Sequence, residues 1–268
     1  MPATWAMQPM GGSEQGASAA RLRWPWLAGA AVLFLALLAL GTWQVQRLAW
    51  KHDLIARVDA RIHAPPAAAP NQAQWPEVNR ASHEYLRVHV TGRFLHEHEA
   101  LVQATTALGA GFWVLTPLRT GEGRMVWINR GFVPPAARDP ARRGLAPPEG
   151  DVSVTGLLRL SEPGGAFLRD NDPGADRWHS RDVAALTQSR GLPPEEVAPY
   201  FIDQEAAPGQ GPLVSAPQDA GPWPVAGLTV VRFSDNHLVY ALTWYGLALG
   251  LLAALVYVWR GRHRVGAG

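Results

Sequence analysis

Apolar and polar positions fall along this chain in three regimes. Positions 24 to 43, WPWLAGAAVLFLALLALGTW, hold no charge and carry tryptophan at both rims. Twenty residues at about 1.5 Å each match a hydrocarbon core about 30 Å thick. Residues 238 to 259 repeat the pattern, so membrane-spanning helices are expected over 24–43 and 237–259. Trp24, Trp26, Trp43, Tyr257 and Trp259 would then lie at headgroup depth, where amphipathic rings prefer to sit. After the first run, GTWQVQRLAWKHDLIARVDARI keeps helical spacing through Trp43, Arg47, Trp50 and Leu54, and Asp53 precedes Arg57 by one turn. A helical stalk over 44–63 is expected. The competing reading of the first run is a cleaved signal peptide, since Arg21 and Arg23 precede it and Ala39-Leu40-Gly41 is a small-x-small site. The helical pattern that continues without Gly or Pro after Gly41 favours a retained anchor.

Between the apolar runs the period changes from 3.6 to 2. Residues 64–76, APPAAAPNQAQWP, read as an extended linker, and 77–236 as a β-rich domain. In EYLRVHVTGRF, Leu86, Val88 and Val90 alternate with Tyr85, Arg87, His89 and Thr91. ALVQATTALGAGFWVLTPLRT predicts a hairpin around Leu108 to Gly111, GRMVWINRGFVPP a strand stopped by Pro134 and Pro135, and DVSVTGLLRL another. SRDVAALTQSRGL predicts a short helix ended by Gly191, with strands PYFIDQE and GLTVVRF after it. The expected class is an α+β membrane protein: two transmembrane helices flanking an exported antiparallel β sheet or small barrel with a short helix.

Charge refines this picture. The net +2 conceals a middle, residues 64–236, with 15 Arg and Lys against 19 Asp and Glu, so nucleic acid is excluded as a partner and the basic excess adjoins the membrane. The tails 1–23 and 260–268 hold Arg21, Arg23, Arg260, Arg262 and Arg264 against Glu14, which predicts cytoplasmic termini and an exported middle. Arg47, Lys51, Arg57 and Arg61 after the first span oppose that count, but a long translocated domain is largely exempt from it. The chain has no cysteine, which excludes thiolate copper delivery, C-x-x-C redox exchange and covalent haem attachment.

Three clusters invite chemistry. His89, His96 and His98 could ligate a metal, although histidines at a solvated turn explain the HEH stretch as well. NDPGADRWHSRD, residues 171–182, mixes carboxylates, His179 and arginines without any catalytic pattern, and reads better as a salt-bridged turn before a helix. Asn129-Arg130-Gly131 reads as a structural turn. On the second span His237, Ala241, Trp244 and Ala248 share one face, with Tyr240 adjoining. A flat ligand could lie there, with imidazole as axial ligand to haem iron. The plainer alternative is an interfacial histidine capping a helix. Gly246 and Gly250 permit close approach of another helix.

GTWQVQRLAWKHDLI, EYLRVHVTGRFLHEHEALVQ, GFWVLTPLRTGEGRMVWINRGFVPP, VTGLLRLSEPGG, NDPGADRWHSRDV, PYFID and NHLVYALTWYGLAL cover most of residues 41–249 in order. In this combination the chain resembles the Surfeit locus protein 1 family of cytochrome c oxidase assembly factors. The resemblance implies a bacterial inner (cell) membrane location with a periplasmic middle domain. Its implied role is binding haem a and assisting its insertion into the catalytic subunit of cytochrome c oxidase, alongside the haem a synthesis machinery and the lipid membrane. The family's proposed haem ligand falls on His237, which would bind the metal, with Trp244 as its neighbour. Arg47, with Lys51, is then placed to meet haem propionates or lipid phosphates. Val239 and Asp235 depart from the family pattern at the entrance to this helix. A cofactor-free scaffold that stabilises an oxidase intermediate is the alternative; an enzyme is the more distant one.

Overall fold

The computed structural model describes residues 24–166, 169–206, 222–228 and 236–265. The chain divides into two compact units, one of the terminal segments up to residue 55 and from residue 233, the other of residues 56–232. Among the described residues the α-helices are α1 (Trp24–Ile62), α2 (Val183–Ser189) and α3 (His237–Val265). The strands are β1 (Ala67–Ala68), β2 (Arg87–Phe94), β3 (Ala100–Thr106), β4 (Gly109–Thr120), β5 (Met125–Val133), β6 (Asp151–Leu160) and β7 (Val197–Gln204).

In the first unit, α1 and α3 are each long and apolar enough to cross a membrane, and α1 continues unbroken through the expected stalk. Small residues let the two helices approach. Leu37 and Gly41 on α1 and Ala241 and Ala248 on α3 are buried, and a Cβ added to Gly41 would stand 2.8 Å from the Tyr245 ring. The Thr42 and Tyr245 hydroxyls meet at 3.1 Å. Other apolar side chains, including Val32, Leu35, Leu242 and Leu249, remain exposed. That inverted distribution suits hydrocarbon as solvent.

The second unit is a closed barrel. β2 pairs with β6, β6 with β7, β7 with β5, β5 with β4, and β4 returns to β2, which completes a five-stranded ring. β3 extends the sheet as a hairpin partner of β4, with Thr106 opposite Gly109, as predicted. Closure depends on Gly92, where any Cβ would lie 2.3 Å from the Arg119 carbonyl oxygen on the crossing strand. The ring is not purely antiparallel, because β7 runs parallel to β5. The reason is geometric: a strand inserted between two antiparallel strands must be parallel to one of them.

Side chains alternate on β2 as the sequence predicts, with Val88, Val90 and Phe94 inward and His89, Thr91 and Arg93 outward. Val88, Val90, Leu118, Val126, Ile128, Val154, Leu158 and Ile202 fill the interior. A second apolar layer forms where Trp178 and α2, through Val183 and Leu186, pack with Leu115, Trp127 and Phe201. β5 is therefore buried along its whole length. The Asn129-Arg130-Gly131 group lies inside β5 rather than in the expected turn.

Residues 64–76, expected as an extended linker, are strapped to the barrel. Ala67 and Ala68 pair parallel to β2, and Asn71 and Gln74 cap a short 3-10 turn reciprocally. Trp75 packs on the interior cluster. Its indole N–H and the Tyr200 hydroxyl both donate to the Pro70 carbonyl, at 3.1 and 2.8 Å. Burial pushes the Tyr200 phenol above its ordinary range. Most of the GLTVVRF strand, residues 207–221 of the preceding loop, Asp235 and the tail 1–23 lie outside the described residues.

Candidate functional site

Two antiparallel helices joined by small residues bring the end of one apolar run to the start of the other. His237 opens α3 there, and its Nδ1 lies 2.7 Å from Gln44 Oε1 on α1. An amide oxygen accepts, so Nδ1 is the donor of this bond. The backbone follows the same entrance, with the Tyr240 N–H donating to the Asn236 carbonyl at 3.2 Å. His237 and Trp244 are half-buried, on the α3 face that also carries the buried Ala241 and Ala248.

The other two expected site residues stand elsewhere. Tyr240 is 53 % exposed. The Arg47 guanidinium lies 4.1 Å over the Trp50 ring, about 60° around α1 from Gln44 at 3.6 residues per turn. Lys51, seven residues from Gln44, returns to within about 20° of it. The structure thus joins His237 to Gln44, keeps Trp244 on the His237 face of α3, and leaves Tyr240 and Arg47 on other flanks. Gln44 and the Thr42–Tyr245 pair escape a reading made one helix at a time. Their signal was available: polar residues at the end of an apolar run face whatever polar residue begins the antiparallel one.

The clusters in the barrel unit resolve into structure. His96 donates from Nε2 to the Pro148 carbonyl at 2.9 Å and accepts at Nδ1 from Arg130 at 3.5 Å. Glu99 holds Arg143 through two bonds of 2.7 and 2.9 Å. Burial lowers the Arg130 pKa, against the pull of Glu99. Among the described residues, no group of three or more His, Cys, Asp or Glu is arranged to hold a metal ion.

NDPGADRWHSRD is the salt-bridged turn the sequence suggests. The Asn171 side-chain carbonyl accepts from the His179 and Ser180 amides, Arg177 reaches Asp172 at 2.6 Å, and Asp182 caps α2. Arg181 bridges Glu162 and the buried Asp203, which also accepts from Asn129 at 2.7 Å and Arg159 at 3.0 Å. Burial would lower Arg159, but Asp203 and a bond to Glu84 outweigh it and raise its pKa.

Comparison with known proteins agrees over most of the chain. The SURF1 family model matches residues 31–249. A SURF1-like protein of Monosiga brevicollis is 35 % identical over 240 residues, covering 85 % of each chain. Surfeit locus protein 1 of Homo sapiens is 34 % identical over 242 residues, which cover 82 % of this chain and 71 % of that protein. The Mus musculus protein of the same name is 33 % identical over 239 residues, 82 % and 70 % of the respective chains.

Proposed function

This chain belongs to the SURF1 family, and from that premise we propose that it is a membrane-anchored assembly factor for cytochrome c oxidase, binding haem a through His237 and assisting its transfer to the oxidase's catalytic subunit. The observation that carries the reading is the His237–Gln44 pair. An acceptor on one imidazole nitrogen orients the ring, as outer partners of metal-bound histidines do. The His237 imidazole would hold haem by its iron, which would supply the Lewis-acid centre for a nitrogen ligand.

The residues present fit that group. Gln44 orients the imidazole, Trp244 offers a polarisable wall two turns further on, and Lys51 carries a positive charge on the Gln44 side for a propionate. One protein ligand suits a carrier that must release its cargo. The protein works by holding and handing over, not by catalysing a reaction. The arginines of the two tails favour cytoplasmic termini and an exported barrel in a bacterial inner membrane.

A second reading, a scaffold without cofactor, draws on the near-complete burial of Ala241 and Ala248, at 2 % and 1 % exposure. Alanines held that tightly make this face a helix-packing surface in its own right. The two readings part on one experiment. Protein purified from cells that make haem a should carry a haem spectrum that His237→Ala removes while circular dichroism stays unchanged. Haem-free protein that still restores oxidase assembly would favour the scaffold.

A further inference from the structure

Trp43, Arg47 and Trp50 recur on α1 at spacings of four and three, which sets them on one flank of the helix. That flank is exposed: Trp43 at 55 % and Trp50 at 47 %, with Arg47 Cζ over the Trp50 ring, 4.1 Å from its centroid. It is also turned about 60° or more from Gln44, which faces His237. A guanidinium held over an indole face by cation–π attraction still has N–H donors that the ring does not use.

Depth gives this arrangement its meaning. Arg47 is the first charged residue after Arg23, and the uncharged stretch between them spans about 35 Å at 1.5 Å per residue. If that stretch fills a core of about 30 Å, Arg47 stands at the level of the lipid phosphates. Trp43 then lies about 6 Å deeper and Trp50 about 4.5 Å further out.

We propose that the Trp43–Arg47–Trp50 flank binds an anionic phospholipid of the surrounding leaflet. Arg47 pairs with the headgroup phosphate, Trp43 lies against the ester and upper acyl region, and Trp50 holds the guanidinium in place and covers the headgroup. Charge complementarity selects this occupant: a packing helix would bury a cation between two bulky rings, whereas a lipid phosphate needs such a cation at that depth. The site is separate from the His237 face and does not depend on haem binding.

The absence of cysteine permits a local test. Gln46→Cys, on an exposed position of α1, would carry an NBD fluorophore in full-length protein reconstituted into phosphatidylcholine nanodiscs. Quenching is compared for phosphatidylglycerol and phosphatidylcholine bearing a nitroxide near the headgroup, at equal mole fraction. Phosphatidylglycerol should be enriched about fivefold at the probe, the preference one surface arginine confers. Arg47→Gln should bring the ratio close to one, about 1 M salt should reduce it, and His237→Ala should leave it unchanged. A ratio near one in the parent, or one that survives Arg47→Gln, overturns the proposal. Loss of the preference in His237→Ala overturns it too, because the flank would then belong to the histidine site.

Discussion

His237 gains its orientation from one amide oxygen, so the sharpest residue-scale prediction concerns that oxygen rather than the imidazole. Gln44→Leu keeps the size of the side chain and removes the acceptor. Haem retention by detergent-solubilised protein should weaken about 10- to 100-fold, as when a second-shell partner is lost, and be read from the rate at which apomyoglobin withdraws the pigment. Helix content should not change. A carboxylate in the barrel unit gives a pH prediction. Partial burial lifts Asp176, but bonds from the Trp178 indole N–H at 2.7 Å and Arg190 at 2.8 Å outweigh it and hold the pKa below the ordinary value. A depressed carboxylate stabilises the fold above the unfolded pKa, about 3.9, and loses that contribution as pH falls through the folded value. The stability difference between the parent and Asp176→Asn should therefore be full at neutral pH and shrink below about pH 4, as followed by tryptophan fluorescence in urea. His237 itself was legible because a histidine beginning an apolar run is conspicuous. Gln44 was legible only as a polar residue ending an apolar run; its partner is defined once two segments 193 residues apart meet.

The elements differ in how well their pattern predicts them. β2, β3, β4, β6 and α2 follow from alternation, turn residues and the stop at Gly191. β5 conceals its role. Buried on both sides, it keeps Asn129 and Arg130 within the strand because Asp203, Glu99 and His96 satisfy them from neighbouring elements, and no period in MVWINRGFV records that. The strap was hidden differently: its Pro and Ala residues read as a spacer, while Trp75 alone shows that it has something to cover. Trp178 holds the outer layer together, fully buried, with its carbonyl accepting from the Gln103 N–H at 2.8 Å. Trp178→Ala should cost about 3–5 kcal/mol, the range for emptying a large aromatic site, measured as a lower urea midpoint with an unchanged slope.

For the whole molecule, composition and the two charge-free runs already indicated an anchored β domain, whereas the closure of that domain into a ring lay in long-range pairings. Its polar girdle ties distant strands together. Arg159 on β6 joins Glu84 ahead of β2 to Asp203 on β7. Arg159→Met leaves both carboxylates in a poorly solvated place without that partner, and the cost of breaking such a pair is about 3–5 kcal/mol. Differential scanning calorimetry should show a markedly lower melting temperature.

The slot between β5 and β6 has a consequence in time. The two strands are neighbours only through β7, which ends at Gln204 of 268 residues. During synthesis the first three quarters of the chain can form hairpins and helix but no ring, and β5 and β6 each present an unpaired edge until β7 arrives. A polypeptide interrupted before Val197 would be a sticky open sheet rather than a smaller barrel. The product therefore becomes safe from self-association only when α3 is about to follow, so completion of the barrel and arrival of His237 are nearly the same event.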